Sequence, residues 1–102
     1  MATLKLARFD LDATPPLGHP LCGGWIQPVV GVDDPLRFRG VVVLGVDQPI
    51  VLATLDWTGV LNDSHRLWIE AIAEAVGTSP ERVALHCVHQ HNAPFINRKS
   101  VV

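Results

Sequence analysis

Three of the five histidines lie within six residues, at His86, His89 and His91. They end an apolar run, Val83-Ala84-Leu85-His86-Cys87-Val88, whose length and composition predict a β-strand over 83–88. Side chains at i and i+2 share a strand face, so Cys87, His89 and His91 are expected on one side and His86 and Val88 on the other. An extended chain sets the Cα atoms of His89 and His91 roughly 7 Å apart. Two imidazoles at that spacing reach a common zinc ion at a Zn–N distance of about 2.1 Å. Asn92-Ala93-Pro94 follows at once and puts the pair at a strand's carboxyl end, where α/β sheets gather their sites. The competing reading is a pair of polar residues meeting solvent, with His86 structural. Cys87 is a poorer ligand. In extended chain its Cα lies roughly 13 Å from that of His91, and a Cys and a His span only on the order of 11 Å through one metal. It therefore reads as a small buried hydrophobe.

Asp56 is the second chemical residue. It closes the apolar run Ile50-Val51-Leu52-Ala53-Thr54-Leu55, where a carboxylate is costly unless paired or solvated. If this strand runs parallel to 83–88, Asp56 shares the edge with His89 and can orient a ligand imidazole as its hydrogen-bond partner. The alternative is a turn residue ahead of Gly59. Asp12, before Thr14-Pro15-Pro16, is either a turn-forming residue bonding its own backbone or part of the same edge.

The elements that must position these residues follow from pattern. Leu4 to Phe9 alternates and predicts a first strand. From Ala13 to Pro35, prolines and glycines leave no room for a helix, and connections of that length are usually functional or disordered. Arg37 to Val46 predicts a strand whose β-branched run implies burial on both faces. Asp47-Gln48-Pro49 then turns the chain into 50–55 as a hairpin. Asn62-Asp63-Ser64 offers helix-capping oxygens, and His65, Trp68, Ile69, Ile72, Ala73 and Val76 form the apolar stripe of a helix over 64–76. Arg66, Glu70 and Glu74 make its polar face, and Gly77 its stop. Strand, strand, helix, strand defines the fold class: α/β, a mixed β-sheet with a β-α-β unit, expected to be a partial domain of a larger catalytic fold.

A chain of 102 residues, 48% hydrophobic and 18% charged, is one globular domain at most. Folding such a length removes roughly 65% of the unfolded chain's surface from water, enough for one modest core and not for a large enclosed site. A net charge of −2 leaves no basic stripe and argues against nucleic acid as a partner. The longest apolar run, Gly40 to Val46, is too short for a transmembrane segment, and Met1 to Arg8 lacks the apolar stretch of a signal peptide. Cys22 and Cys87 lie far apart and outside any CxxC pattern, which favours two reduced thiols over a disulfide.

Together these motifs resemble the N-terminal region of the neutral/alkaline ceramidase family. That family has an Asp-Ile-Thr-Pro-Pro-like segment, read here as Asp12-Ala13-Thr14-Pro15-Pro16, then Gly18-His19-Pro20-Leu21-Cys22-Gly23 for its Gly-x-Pro-Leu-x-Gly. Leu55-Asp56-Trp57-Thr58-Gly59 matches its strand-Asp-Gly segment. His89-Gln90-His91-Asn92-Ala93-Pro94 matches its His-x-His-x-Gly-Pro, with Gln90, Asn92 and Ala93 where members have Thr, Ser and Gly. The likeness spans roughly residues 7 to 95. It implies a zinc-dependent amidase acting on the N-acyl bond of a ceramide-like lipid, with Zn2+ as cofactor, His89 as metal ligand and His91 as a catalytic histidine beside the metal. It also implies that the remaining ligands, a second His, a Glu and a Tyr, come from the remainder of the catalytic domain. The ending Asn97 to Val102 accordingly reads as a cut chain. Two other readings stand beside this one: a hydrolase of the same fold acting on a different amide or ester, and a non-catalytic α/β module binding a partner through the loop around Trp25.

Overall fold

The computed structural model describes residues 3–45 and 47–98. Val46 at the end of the predicted second strand, Met1-Ala2 of the N-terminal reading and residues 99–102 of the tail lie outside the described residues. Four strands form a mixed sheet in the order β1 (Lys5–Asp12), β2 (Arg37–Leu44), β3 (Ile50–Leu55), β5 (Val83–Cys87). The first two pairings are antiparallel, and β3 and β5 are parallel. The helix α1 (Asn62–Val76) connects β3 to β5 and completes the β-α-β unit that the order of elements predicted. Two short strands were not legible in advance: β4 (Gly59–Leu61) and β6 (Phe95–Arg98) pair in parallel as a second, two-stranded sheet. Three or four residues carry too little periodicity to be seen, and their partners lie far apart in the chain.

The core sits between sheet and helix. Val51, Ala53 and Leu55 alternate inward along β3, and Val60 of β4 and Leu85 of β5 join them. The helix lays Trp68, Ile69, Ile72 and Val76 on this cluster, the stripe its spacing predicted. Burying side chains of this size stabilises by roughly 1.5–3 kcal/mol each. An aromatic series continues the packing toward the strand ends. Phe9 meets Phe38 at 5.0 Å between ring centroids, Phe38 meets Trp68 edge-on at 5.5 Å, and Trp68 meets Trp57 at 5.3 Å. Gly77 ends the helix in the left-handed region at φ 83°, donating to the Ala73 carbonyl, which L residues resist.

Two expectations change. The Asn62-Asp63-Ser64 triplet makes no side-chain cap; Leu61 is the N-cap residue. The Asn62 side chain instead bonds Asn97, and the Ser64 hydroxyl accepts the Arg98 N–H at 3.0 Å. Asn62 and Ser64 therefore tie β6 to the start of the helix. Burial on both sheet faces also fails, because among the described residues α1 and the small sheet cover one face only. The other face leaves Leu6 and Leu52 exposed at 69% and 51%. No described helix is long and apolar enough to cross a membrane.

Candidate functional site

Because β3 and β5 are parallel and Leu55 pairs with Cys87, both strands deliver their following residues to the same edge. The Val88 N–H extends the ladder by one bond, to the Leu55 carbonyl at 3.1 Å. Then His89 takes φ +64°. A histidine enters this left-handed region more readily than most L residues, yet still at a cost of roughly 1–2 kcal/mol. What holds it there is a double tether to the segment leaving β3. The His89 N–H donates to the Trp57 carbonyl at 3.1 Å, and its ring Nδ1 lies 2.8 Å from the Thr58 carbonyl. A carbonyl oxygen only accepts, so Nδ1 carries a proton, and in the neutral form of the ring the lone pair is on Nε2.

The turn, not a strand, brings His91 alongside. β5 stops at Cys87, so the expected common face for Cys87, His89 and His91 does not exist. The left-handed residue redirects the chain, and the His89 and His91 rings meet edge to face with centroids 5.1 Å apart. Both side chains are exposed. Cys87 instead packs against the core, and burial pushes its thiol above the ordinary value of 9.0 despite a hydrogen bond from the Val60 backbone. That suits a small apolar residue better than a metal thiolate. Both cysteines are free thiols.

Asp56 stands at this same edge, but the bond to the His89 ring comes from Thr58. The Asp56 Oδ2 accepts the Arg37 N–H at 2.9 Å, and the Asp56 N–H donates to the Arg37 carbonyl at 3.0 Å. The carboxylate thus closes β2 onto β3. Asp12 forms the turn expected of an Asx residue, accepting the Thr14 N–H at 2.8 Å. The Thr14 hydroxyl first, and this N–H bond after it, hold its carboxyl below the usual 3.8. His86 faces away from the core, with Nε2 3.4 Å from the Thr54 hydroxyl across the parallel pair.

Thr58 and Gln90 are the residues that sequence reasoning missed. The Thr58 hydroxyl, in a residue 3% exposed, lies 2.6 Å from the Gln90 carbonyl and 3.0 Å from that of Ala93. Its backbone N–H donates to the Pro94 carbonyl at 2.9 Å. Gln90 Nε2 donates to the Asp56 carbonyl and its Oε1 accepts the Asn92 N–H, both at 3.0 Å. Together these bonds frame the turn that carries the two histidines. The available signal was a hydroxyl followed by Gly59, and the contacts explain the pairing. A Cβ on Gly59 would lie 2.9 Å from the Phe95 ring, so only glycine lets β6 approach.

The long loop reaches the same edge. It is pinched at its base where Ala13 N–H meets the Leu36 carbonyl at 2.8 Å and Leu36 N–H meets the Thr14 hydroxyl at 3.0 Å. Trp57 Nε1 donates to the Ala13 carbonyl at 2.9 Å, and the Cys22 N–H donates to the Ala93 carbonyl at 2.7 Å. The loop is thereby fastened directly to the turn that follows His91.

A neutral imidazole with its Nδ1 proton on a main-chain carbonyl is the form that ligates a metal through Nε2. Two such rings bound to one tetrahedral ion at about 2.1 Å have centroids roughly 5 Å apart, close to the spacing here. An ion on His89 Nε2 would therefore have the His91 ring as its neighbour. Among the described residues, no group of three or more His, Cys, Asp or Glu gathers to complete a ligand set. Comparisons with protein families, with curated proteins and with solved structures find no match to this chain.

Proposed function

We propose that this chain carries part of the metal centre of a zinc-dependent amide hydrolase resembling the neutral/alkaline ceramidases. The observation that carries this reading is the His89 tether. Its Nδ1 proton is committed to the Thr58 carbonyl, so Nε2 is the available ligand atom, with the His91 ring beside it. His89 would hold the ion. His91, exposed at the same turn, takes or returns a proton near the reacting amide. Asp56 acts indirectly, keeping β2 and β3 together beneath the edge rather than bonding the imidazole itself. Zinc, when bound, supplies a Lewis acid that acidifies water and polarises an amide carbonyl. The remaining ligands belong to the remainder of the catalytic domain, as the resemblance implies, and ceramide itself is the substrate that it suggests. An amide or ester of another kind is the alternative on the same site.

His89 with His91 beside it makes an incomplete site, since catalytic zinc takes three protein ligands and an open position. The 102-residue chain should therefore bind zinc weakly and hydrolyse no ceramide above background. Titrating zinc while following the imidazole resonances by NMR tests this. The His89 and His91 signals should move together, and His89→Ala should abolish the response. No response at either ring would sink the metal reading. Tight binding with turnover would overturn the claim that the site is incomplete.

A further inference from the structure

We infer that the cavity beneath the 13–36 loop is a binding pocket for the uncharged amide end of a substrate with a compact apolar body. This deepens the reading above and rests on it for the word substrate. The cavity measures about 570 Å3, within the range of small-molecule sites. Its position points to a ligand that reacts at the histidines, because Gln90 and Asn92, the neighbours of His91 on either side, both line it. It is also a built space. The loop has no regular structure beyond one short turn at Cys22–Gly24, yet Gly18 N–H bonds the Val29 carbonyl at 2.7 Å and Val29 N–H bonds the His19 carbonyl at 3.1 Å. Leu21 and Ile26 form a bridge of their own, and the Cys22 bond to Ala93 joins this wall to the histidine turn.

The lining selects the ligand class. Leu21, Ile26, Val29 and Leu36 offer apolar surface, and Gln27 and Asn92 offer amide donors and acceptors. Among the described residues, the only charged side chains lining it are the carboxylates Asp33 and Asp34, both exposed, and no Lys, Arg or His joins them. An anion entering here would be desolvated without a cationic partner, so phosphate esters and carboxylates are excluded. An uncharged amide satisfies both the polar groups and the apolar wall.

The test uses hexanamide as probe and hexanoate as its anionic counterpart, followed by NMR on the whole chain without metal. Hexanamide should shift the methyl resonances of Ile26 and Val29, and hexanoate should not. Val30 is 75% exposed, and Gln27 is exposed on the rim. Val30→Trp and Gln27→Trp should therefore fold normally and weaken hexanamide by about tenfold or more, because a filled pocket excludes ligand sterically. Hexanamide that leaves the cavity methyls unmoved, or hexanoate that moves them equally, overturns the inference. Hexanamide binding with no zinc response at His89 keeps the pocket and removes the hydrolase reading. A zinc response at His89 with no hexanamide binding removes the pocket alone.

Discussion

The sheet-and-helix half of the molecule and the loop half hold together by different means. In the first, β2, β3, β5 and α1 bury an apolar cluster in which Val51 and Leu55 are fully excluded from solvent. In the second, residues 13–36 and 88–94 bury only scattered side chains, Leu21, Val29, Ala93 and Pro94, and are fastened by hydrogen bonds between main chain and a few side chains: Thr14, Trp57, Thr58, Gln90. The first half is insensitive to which apolar residue fills a position, within limits of volume. The second depends on individual polar atoms, and it carries the two histidines of the proposed site. The scaffold thus takes its stability from burial, and the site is positioned by directional bonds that burial alone does not supply.

The largest effect that should expose this division is a core truncation. Leu55→Ala removes a side chain with 0% exposure and should cost about 2–5 kcal/mol. Val30→Ser in the loop removes an exposed valine and should stay within about 0.5 kcal/mol. Denaturant midpoints at unchanged slope measure both. Equal losses would mean that the loop carries core-like packing and that the contrast is false.

Next comes the hydroxyl that bridges the two halves. Thr58→Val keeps the shape but leaves the Gln90 carbonyl without this donor, while the Ala93 carbonyl keeps the Cys22 N–H. A buried group so orphaned costs about 1–3 kcal/mol. The loss should be local as well as global: amide exchange at 89–93 should accelerate far more than exchange in β3. A uniform acceleration across the chain would place Thr58 in the scaffold instead.

The same contrast explains how much was legible beforehand. The apolar alternation of 50–55, the helical stripe at Trp68, Ile69, Ile72 and Val76, and the stop at Gly77 are local patterns, and they correspond to β3, α1 and its left-handed cap. Parallel pairing of β3 with β5 followed from the intervening helix, which placed Asp56 and His89 at one edge. What stayed hidden depends on contacts between distant residues. Asn62 and Ser64 look like caps in isolation, but β6 claims their side chains. His89-Gln90-His91 looks like a strand end, but the φ of His89 turns it. That turn is stabilised by the Trp57 and Thr58 carbonyls some thirty residues earlier, which no local window contains.

The strain at His89 allows a sharper measurement. Replacement by Ala or by Gly removes the same ring and the same bond to Thr58, so the two variants differ mainly in backbone preference. Glycine adopts φ +64° freely and alanine does not. His89→Gly should therefore be the more stable by about 1 kcal/mol, while both lose the zinc response. If His89→Ala is as stable as His89→Gly, the turn has relaxed without the imidazole, and the ring itself holds the left-handed geometry.

The smallest effect lies on the scaffold's outer face and separates surface charge from both halves. The Arg37 side chain, 2.8 Å from Asp10 Oδ1, donates the hydrogen bond that holds this carboxyl below 3.8, and the Arg37 and Arg39 charges add to it. A depressed folded value means that the folded state binds the proton less readily than the unfolded state. The stabilisation is therefore complete above 3.8 and disappears as pH falls through the lower folded value. Asp12, lowered by its bonds from Thr14, adds a second contribution of the same sign. Asp10 is exposed and the Arg37 pair is open to solvent, so the effect should be small and weakened by salt. Asp10→Asn should be slightly less stable than the parent at neutral pH and indistinguishable from it once both carboxyls are protonated. A gap between the two that persists in strong acid would mean that Asp10 contributes through packing rather than charge. The sheet's exposed face would then share the character of its core.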